Sequence, residues 1–148
     1  LPAIPLMPDI SHGRLHLDGA LCELLAGDGW DAYVKPFRSL EDVYVLSAMT
    51  AWLYGIGQDS NWPQALQLRL LALLAGCAEA SRQAPSNPAG HVLLGGLFAQ
   101  FESLKTEVDQ ALLQGDPACA AMWQRDQGVM QLAAGARAKR LAKALALA

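Results

Sequence analysis

Few residues of this chain have types and spacings that could do chemistry. His12 and His16 stand four apart, which on a helix would suit two metal ligands. The segment around them reads as a strand, where that spacing separates them by roughly 13 Å at about 3.3 Å per residue. Shared ligation is then out of reach; both read as polar strand residues, and no metal site is expected. His91 is placed in the first turn of a helix, whose N-terminus disfavours imidazolium, so a neutral polar role is expected. No nucleophile or carboxylate partner stands near it in sequence. Cys119, beside an Asp116-Pro117 helix start, would have its thiol pKa lowered there, yet without a His partner it reads as a structural thiol. Gly55-Ile56-Gly57 has part of a dinucleotide-loop pattern but follows a helix and lacks the third glycine, so a helix stop is expected. No catalytic residue is assigned.

Two groups of cations remain. Arg137, Lys139, Arg140 and Lys143 crowd the last helix, which has no acidic residue after Asp126. Cations favour a helix C-terminus and solvate an outer face, which is the favoured reading over a phosphate contact. Lys35 and Arg38 precede the expected helix start at Ser39, where the macrodipole gives a cation nothing. Their placement suits an anion such as a phosphate held with free helix N–H groups, so these two are the candidate cofactor-binding residues.

The elements that would position these groups follow from composition and period. A chain of 148 residues suits one domain. It is 53% hydrophobic and only 17% charged, which excludes disorder and points to a tight core or a surface that packs on something else. A net charge of −3 gives no electrostatic case for nucleic acid. The longest apolar run, near Leu70–Ala78, is about half of the roughly 18 residues a membrane span needs. No signal peptide is visible, and three widely spaced cysteines, Cys22, Cys77 and Cys119, argue against a disulfide framework and for buried thiols in a reducing compartment. A cytoplasmic location is expected. A first residue of Leu1 suggests a processed product or a fragment.

The fold class expected is mainly α: a four-helix up-down bundle over residues 39–148, behind a lead over residues 1–38. Pro2, Pro5 and Pro8 make the first stretch extended. Asp18-Gly19 suits a type I′ turn, pairing Leu17 with Ala20, His16 with Leu21, Leu15 with Cys22 and Arg14 with Glu23 in a β-hairpin. Trp30, Tyr33 and Phe37, with a kink at Pro36, form an aromatic linker that could plug the open end of the bundle. Ser39-Leu40-Glu41-Asp42 resembles a capping box and starts a helix to about Tyr54. Pro63 restarts the chain into a leucine-rich second helix to about Arg82, apolar nearly all round and therefore expected at the centre. Asn87-Pro88 opens the third, whose Leu94, Leu97, Phe98, Phe101, Leu104, Val108 and Leu112 recur at helical spacing until Gly115. Asp116-Pro117 opens a fourth that runs toward the C-terminus.

Two patches carry a family resemblance. Gly27-Asp28-Gly29-Trp30, continuing through Tyr33-Val34-Lys35-Pro36-Phe37-Arg38 into Leu40-Glu41-Asp42, resembles the entry to the C-terminal helical domain of bacterial acyl-CoA dehydrogenase-like proteins. Trp123-Gln124-Arg125-Asp126 and Ala136-Arg137-Ala138-Lys139-Arg140 are similar to their final helix. The likeness spans roughly Gly13 to Ala148. It implies an FAD-dependent oxidoreductase in which an N-terminal helical domain, a middle β domain and a C-terminal four-helix bundle hold the flavin. This chain would supply the bundle and the end of the β domain, inactive alone, joined to the missing domains or in a homo-oligomer. The catalytic Glu of the family maps to no residue here. The alternative is a non-enzymatic helical interaction domain whose apolar excess marks a partner surface.

Overall fold

The computed structural model describes residues 7–11 and 13–147. The first six residues of the expected extended run Leu1 to Pro8, and His12, lie outside the described residues; the last two are not extended, since Met7 has a φ of 49° and Met7 to Ile10 form a turn closed by the Ile10 amide on the Met7 carbonyl at 3.0 Å. Among the described residues five α-helices follow one another: α1 Lys35–Asp59, α2 Gln64–Ala80, α3 Pro88–Gly115, α4 Pro117–Asp126 and α5 Ala134–Leu145. A π-helical turn over Gly29–Val34 leads into α1, and a 3-10 turn over Gln127–Gln131 joins α4 to α5.

No strand occurs among the described residues, so the expected hairpin is corrected. A type I′ turn needs φ > 0 at both central residues. Gly19 has a φ of 60°, but Asp18 is not among the residues of positive φ. The chain bends at Asp18-Gly19 without folding back into register, and Leu15, Leu17, Leu21, Leu24 and Leu25 stay exposed. A two-stranded ribbon is marginal in water unless it lies on another surface, and no described element covers this one. The start of the lead is tied down instead. The Met7 amide donates to Asp126 Oδ1 at 2.8 Å, and Arg125 Nη2 donates to Asp9 at 2.6 Å.

The joint into α1 lies upstream of the expected Ser39. Asp28 is the N-cap, its carboxylate accepting from the amides of Trp30 at 3.0 Å and Asp31 at 2.7 Å. Pro36 explains the wide turn that follows. A proline inside a helix has no N–H and its ring crowds the carbonyl four residues back. An i→i+5 turn, in which the Lys35 amide donates to the Trp30 carbonyl, opens that space. Ser39 is thereby inside α1 and buried, its Oγ with no hydrogen-bond partner among the described residues. The aromatic plug is also corrected: Trp30, Tyr33 and Phe37 all face solvent.

Gly55 and Gly57 do not stop α1, which continues to Asp59. Gly57 instead provides clearance for Trp62. A Cβ there would lie 2.9 Å from the indole Cε3, and the Trp62 amide donates to the Gly57 carbonyl at 2.9 Å. The loop between α1 and α2 is short, and Asn61 absorbs the reversal with a φ of 52°. On α1 the buried side chains Val43, Leu46, Thr50, Leu53 and Ile56 recur at three and four; on α2 Leu66, Leu70, Leu73, Cys77 and Ala80 do the same. The second helix is therefore one-sided, with Leu68 and Leu71 exposed, and is not the central helix. That position belongs to α3, which packs on α1, α2, α4 and α5 and buries Leu94, Leu97, Phe101, Leu104, Val108 and Leu112. Phe98 is only partly buried.

Asn87 caps α3 through the Ala89 amide, and Asp116 caps α4 through the amides of Ala118 and Cys119. The expected fourth helix is broken. After Asp126 the chain tightens into the 3-10 turn that contains Gly128, a poor helix former, and α5 then packs back on α3. Trp123 of α4 is 1% exposed, edge-on to Phe101 with ring centroids 6.2 Å apart, and its Nε1 donates to Asp109 at 2.6 Å. In place of the expected four-helix bundle, the described residues form five α-helices, four of them packed on α3.

Candidate functional site

Three helices bring a cluster of ionisable groups together where α1, α3 and α5 meet. Asp42 lies on the buried stripe of α1, one turn after Ser39. Arg137 Nη1 of α5 donates to its Oδ1 at 2.9 Å, and Arg140 Nη2 donates to its Oδ2. Because Arg137 and Arg140 are three apart, both guanidinium groups point from one face of α5 to the same carboxylate. Arg137 is further held by the Met130 carbonyl, which accepts from Nη2, and by the Phe98 ring, whose centroid is 3.9 Å from its Cζ. The expected solvated group of four cations is thus divided: Arg137 and Arg140 turn inward, while Lys139 and Lys143 remain exposed.

Asp42 is a carboxylate removed from water. Burial lifts its carboxyl above the ordinary value, working against Arg137 and Arg140, which pull it down. His91, in the first turn of α3, is pushed the other way. Burial first and the nearby Arg140 charge second lower its pKa, so the ring is neutral, in accord with its expected role near the cap. His91, Leu94, Gly95 and Phe98 of α3 line a pocket of about 130 Å³ together with Arg137, Ala138, Arg140 and Leu141 of α5. Gly95 lets the two helices approach, since a Cβ there would stand 2.9 Å from Leu141 Cδ2.

Lys35 and Arg38 are elsewhere, on the exposed side of the first turn of α1. Each pairs with a carboxylate of its own helical segment, Lys35 with Asp31 and Arg38 Nη1 with Glu41 Oε2 at 2.9 Å. Both side chains are more than half exposed. The reason given for an anion beside them is overturned, because the helix begins at Asp28 and the first amides are already satisfied by its carboxylate. Exposed pairs of this kind contribute about 0–1 kcal/mol, so both cations can exchange partners at little cost.

The cysteines also differ from expectation. Cys77 is buried, Cys119 is partly buried and Cys22 is exposed. The Asp116 carboxylate beside it raises the Cys119 thiol pKa, with burial adding to it; the negative cap outweighs the helix N-terminus. The same contacts, led by the Cys119 amide, hold the Asp116 carboxyl below its ordinary value. No group of three or more His, Cys, Asp or Glu suited to a metal occurs among the described residues. No described helix is long and apolar enough to cross a membrane.

Sequence reading missed Asp42 as the centre of the site because its partners lie 95 and 98 residues away. The one local signal was the spacing of three between two arginines in an otherwise alanine-rich helix. No protein-family model, curated protein or solved structure matches this chain.

Proposed function

We propose that this chain is the C-terminal helical part of a flavin-dependent acyl-CoA dehydrogenase-like oxidoreductase, acting in oligomerisation and in an outer contact to a phosphate of the cofactor. The observation that carries this reading is the lead. From Leu15 to Leu25 it is irregular with a bend at Asp18-Gly19, its backbone has no ladder partner among the described residues, and its leucines are exposed. The adjoining Trp30, Tyr33 and Phe37 continue the apolar surface into α1. Unpaired backbone beside apolar side chains suits the edge of a β domain. In the proteins this chain resembles, such a domain precedes the helices.

FAD would be bound mainly by the other domains. Lys35 and Arg38 fit its phosphate as two exposed, releasable cations, not as an enclosed cradle, since each must first part from Asp31 or Glu41. Exposed Leu68, Leu71, Leu113 and Met122 offer apolar surface for homo-oligomer contacts. The cytoplasm is the proposed location. The second reading, a non-enzymatic helical interaction domain, rests on the same exposed lead.

Purification of the intact polypeptide from its natural source separates the two. The flavoprotein reading expects bound FAD, acyl-CoA oxidation with an artificial electron acceptor, and weaker FAD retention in a Lys35→Ala, Arg38→Ala double variant. An intact polypeptide that is colourless and takes up no added FAD sinks that reading and leaves the interaction domain.

A further inference from the structure

We propose that the pocket between α3 and α5 binds a small monocarboxylate with a short apolar tail, a site independent of the flavin reading above. Charge comes first. Two guanidinium groups meet one carboxylate, and Glu41, the neighbouring acid, is engaged by Arg38. With His91 neutral, the cluster keeps one positive charge in excess.

That excess sits on Arg140. Arg137 is committed to Asp42, to the Met130 carbonyl and to the face of Phe98. Arg140 spends only Nη2, on Asp42, which leaves the remaining donors of its fork without a partner among the described residues. Arg140 lines the pocket, as does His91, whose ring makes no hydrogen bond within the described chain. A guanidinium edge with two parallel donors matches a carboxylate.

The walls decide what kind of anion fits. Leu94, Gly95, Phe98, Ala138 and Leu141 supply apolar surface and few hydrogen-bonding groups. A phosphate would bring several charged oxygens against walls that cannot satisfy them, whereas a carboxylate places two oxygens on Arg140 and its tail on the leucines. Size limits the tail. A cavity of about 150 Å³ holds benzene, so about 130 Å³ here admits a ligand of about six heavy atoms. Butanoate meets both conditions.

Titration calorimetry of the full chain with butanoate, 1-butanol and inorganic phosphate tests the site. Saturable binding of butanoate, with none for 1-butanol or phosphate, is expected. Arg140→Gln should weaken it at least about tenfold, because a hydrogen bond to a charged group is lost. Ala138→Leu fills the pocket mouth from an exposed position of α5, leaves the Asp42 cluster intact, and should abolish binding without changing the melting temperature. It keeps the test decisive if Arg140→Gln fails to fold. Butanoate that does not saturate at concentrations of order 10 mM overturns the proposal. So does butanoate binding equally well to Ala138→Leu, or phosphate binding in its place.

Discussion

Gly55 and Gly57 lie two residues apart in the same helix, and replacing each by alanine should move stability in opposite directions. At Gly55 a new Cβ meets nothing within 4 Å, so the substitution returns only the helix propensity of alanine, a gain of about 1 kcal/mol. At Gly57 the same gain is offset by a clash. The Cβ would stand 2.9 Å from Cε3 and 3.2 Å from Cδ2 of Trp62, a rigid ring that is 5% exposed and cannot swing away. Forcing a methyl group into a filled site costs about 1–3 kcal/mol. Propensity cancels between the two variants, so their difference reads the clash directly, at about 2 kcal/mol. For a chain of this size that separates the melting midpoints by roughly 4–8 °C. Urea unfolding followed by circular dichroism gives the free energies, and tryptophan emission should shift in Gly57→Ala only. Equal stabilisation of both variants would show that the indole does not rest on Gly57. Equal destabilisation would restore both glycines as helix stops.

Asp42 predicts a pH effect of definite sign. Its carboxyl is raised in the folded state, so the native protein holds the proton more tightly, and this contribution to stability grows as pH falls through the raised value toward the unfolded value near about 4. Asp116 and Asp126 are lowered and act oppositely, losing stability as pH falls, so the informative quantity is the wild type minus Asp42→Asn, measured from neutral to acid pH. Parallel curves for the two proteins would refute the assignment. Trp123→Phe keeps most of the buried ring but removes the donor to Asp109, and should cost about 1–3 kcal/mol in urea unfolding; a loss below about 0.5 kcal/mol would mean that the bond contributes nothing. Leu21→Ser with Leu24→Ser, in an exposed lead, should leave the unfolding midpoint within about 0.5 kcal/mol of wild type while raising solubility. A large loss would place those leucines against the helices.

Much of the helical body was legible locally. Asn87-Pro88 and Asp116-Pro117 mark their helix starts because capping and proline geometry involve only neighbouring residues, and the period of α3 identifies its buried face because one stripe must leave water. The lead misled. Asp-Gly favours a tight turn, but a hairpin also needs both residues at positive φ and a surface for its apolar face, and the described helices provide none. Capping at Ser39 was displaced by Asp28, an equally local signal eleven residues earlier, because the π-helical turn accommodates Pro36 and lets the helix begin upstream. The role of Gly57 depended on where Trp62 folds back. By itself the sequence determined the helical class, most of the helix starts and the central stripe of α3, since those follow from interactions within a few residues. Only the tertiary structure decided that the last helix breaks, that Arg137 and Arg140 face inward, and that Asp42 holds both across the fold. A charge pair bridging almost a hundred residues leaves no trace in local periodicity; the packing of α5 against α3 creates it.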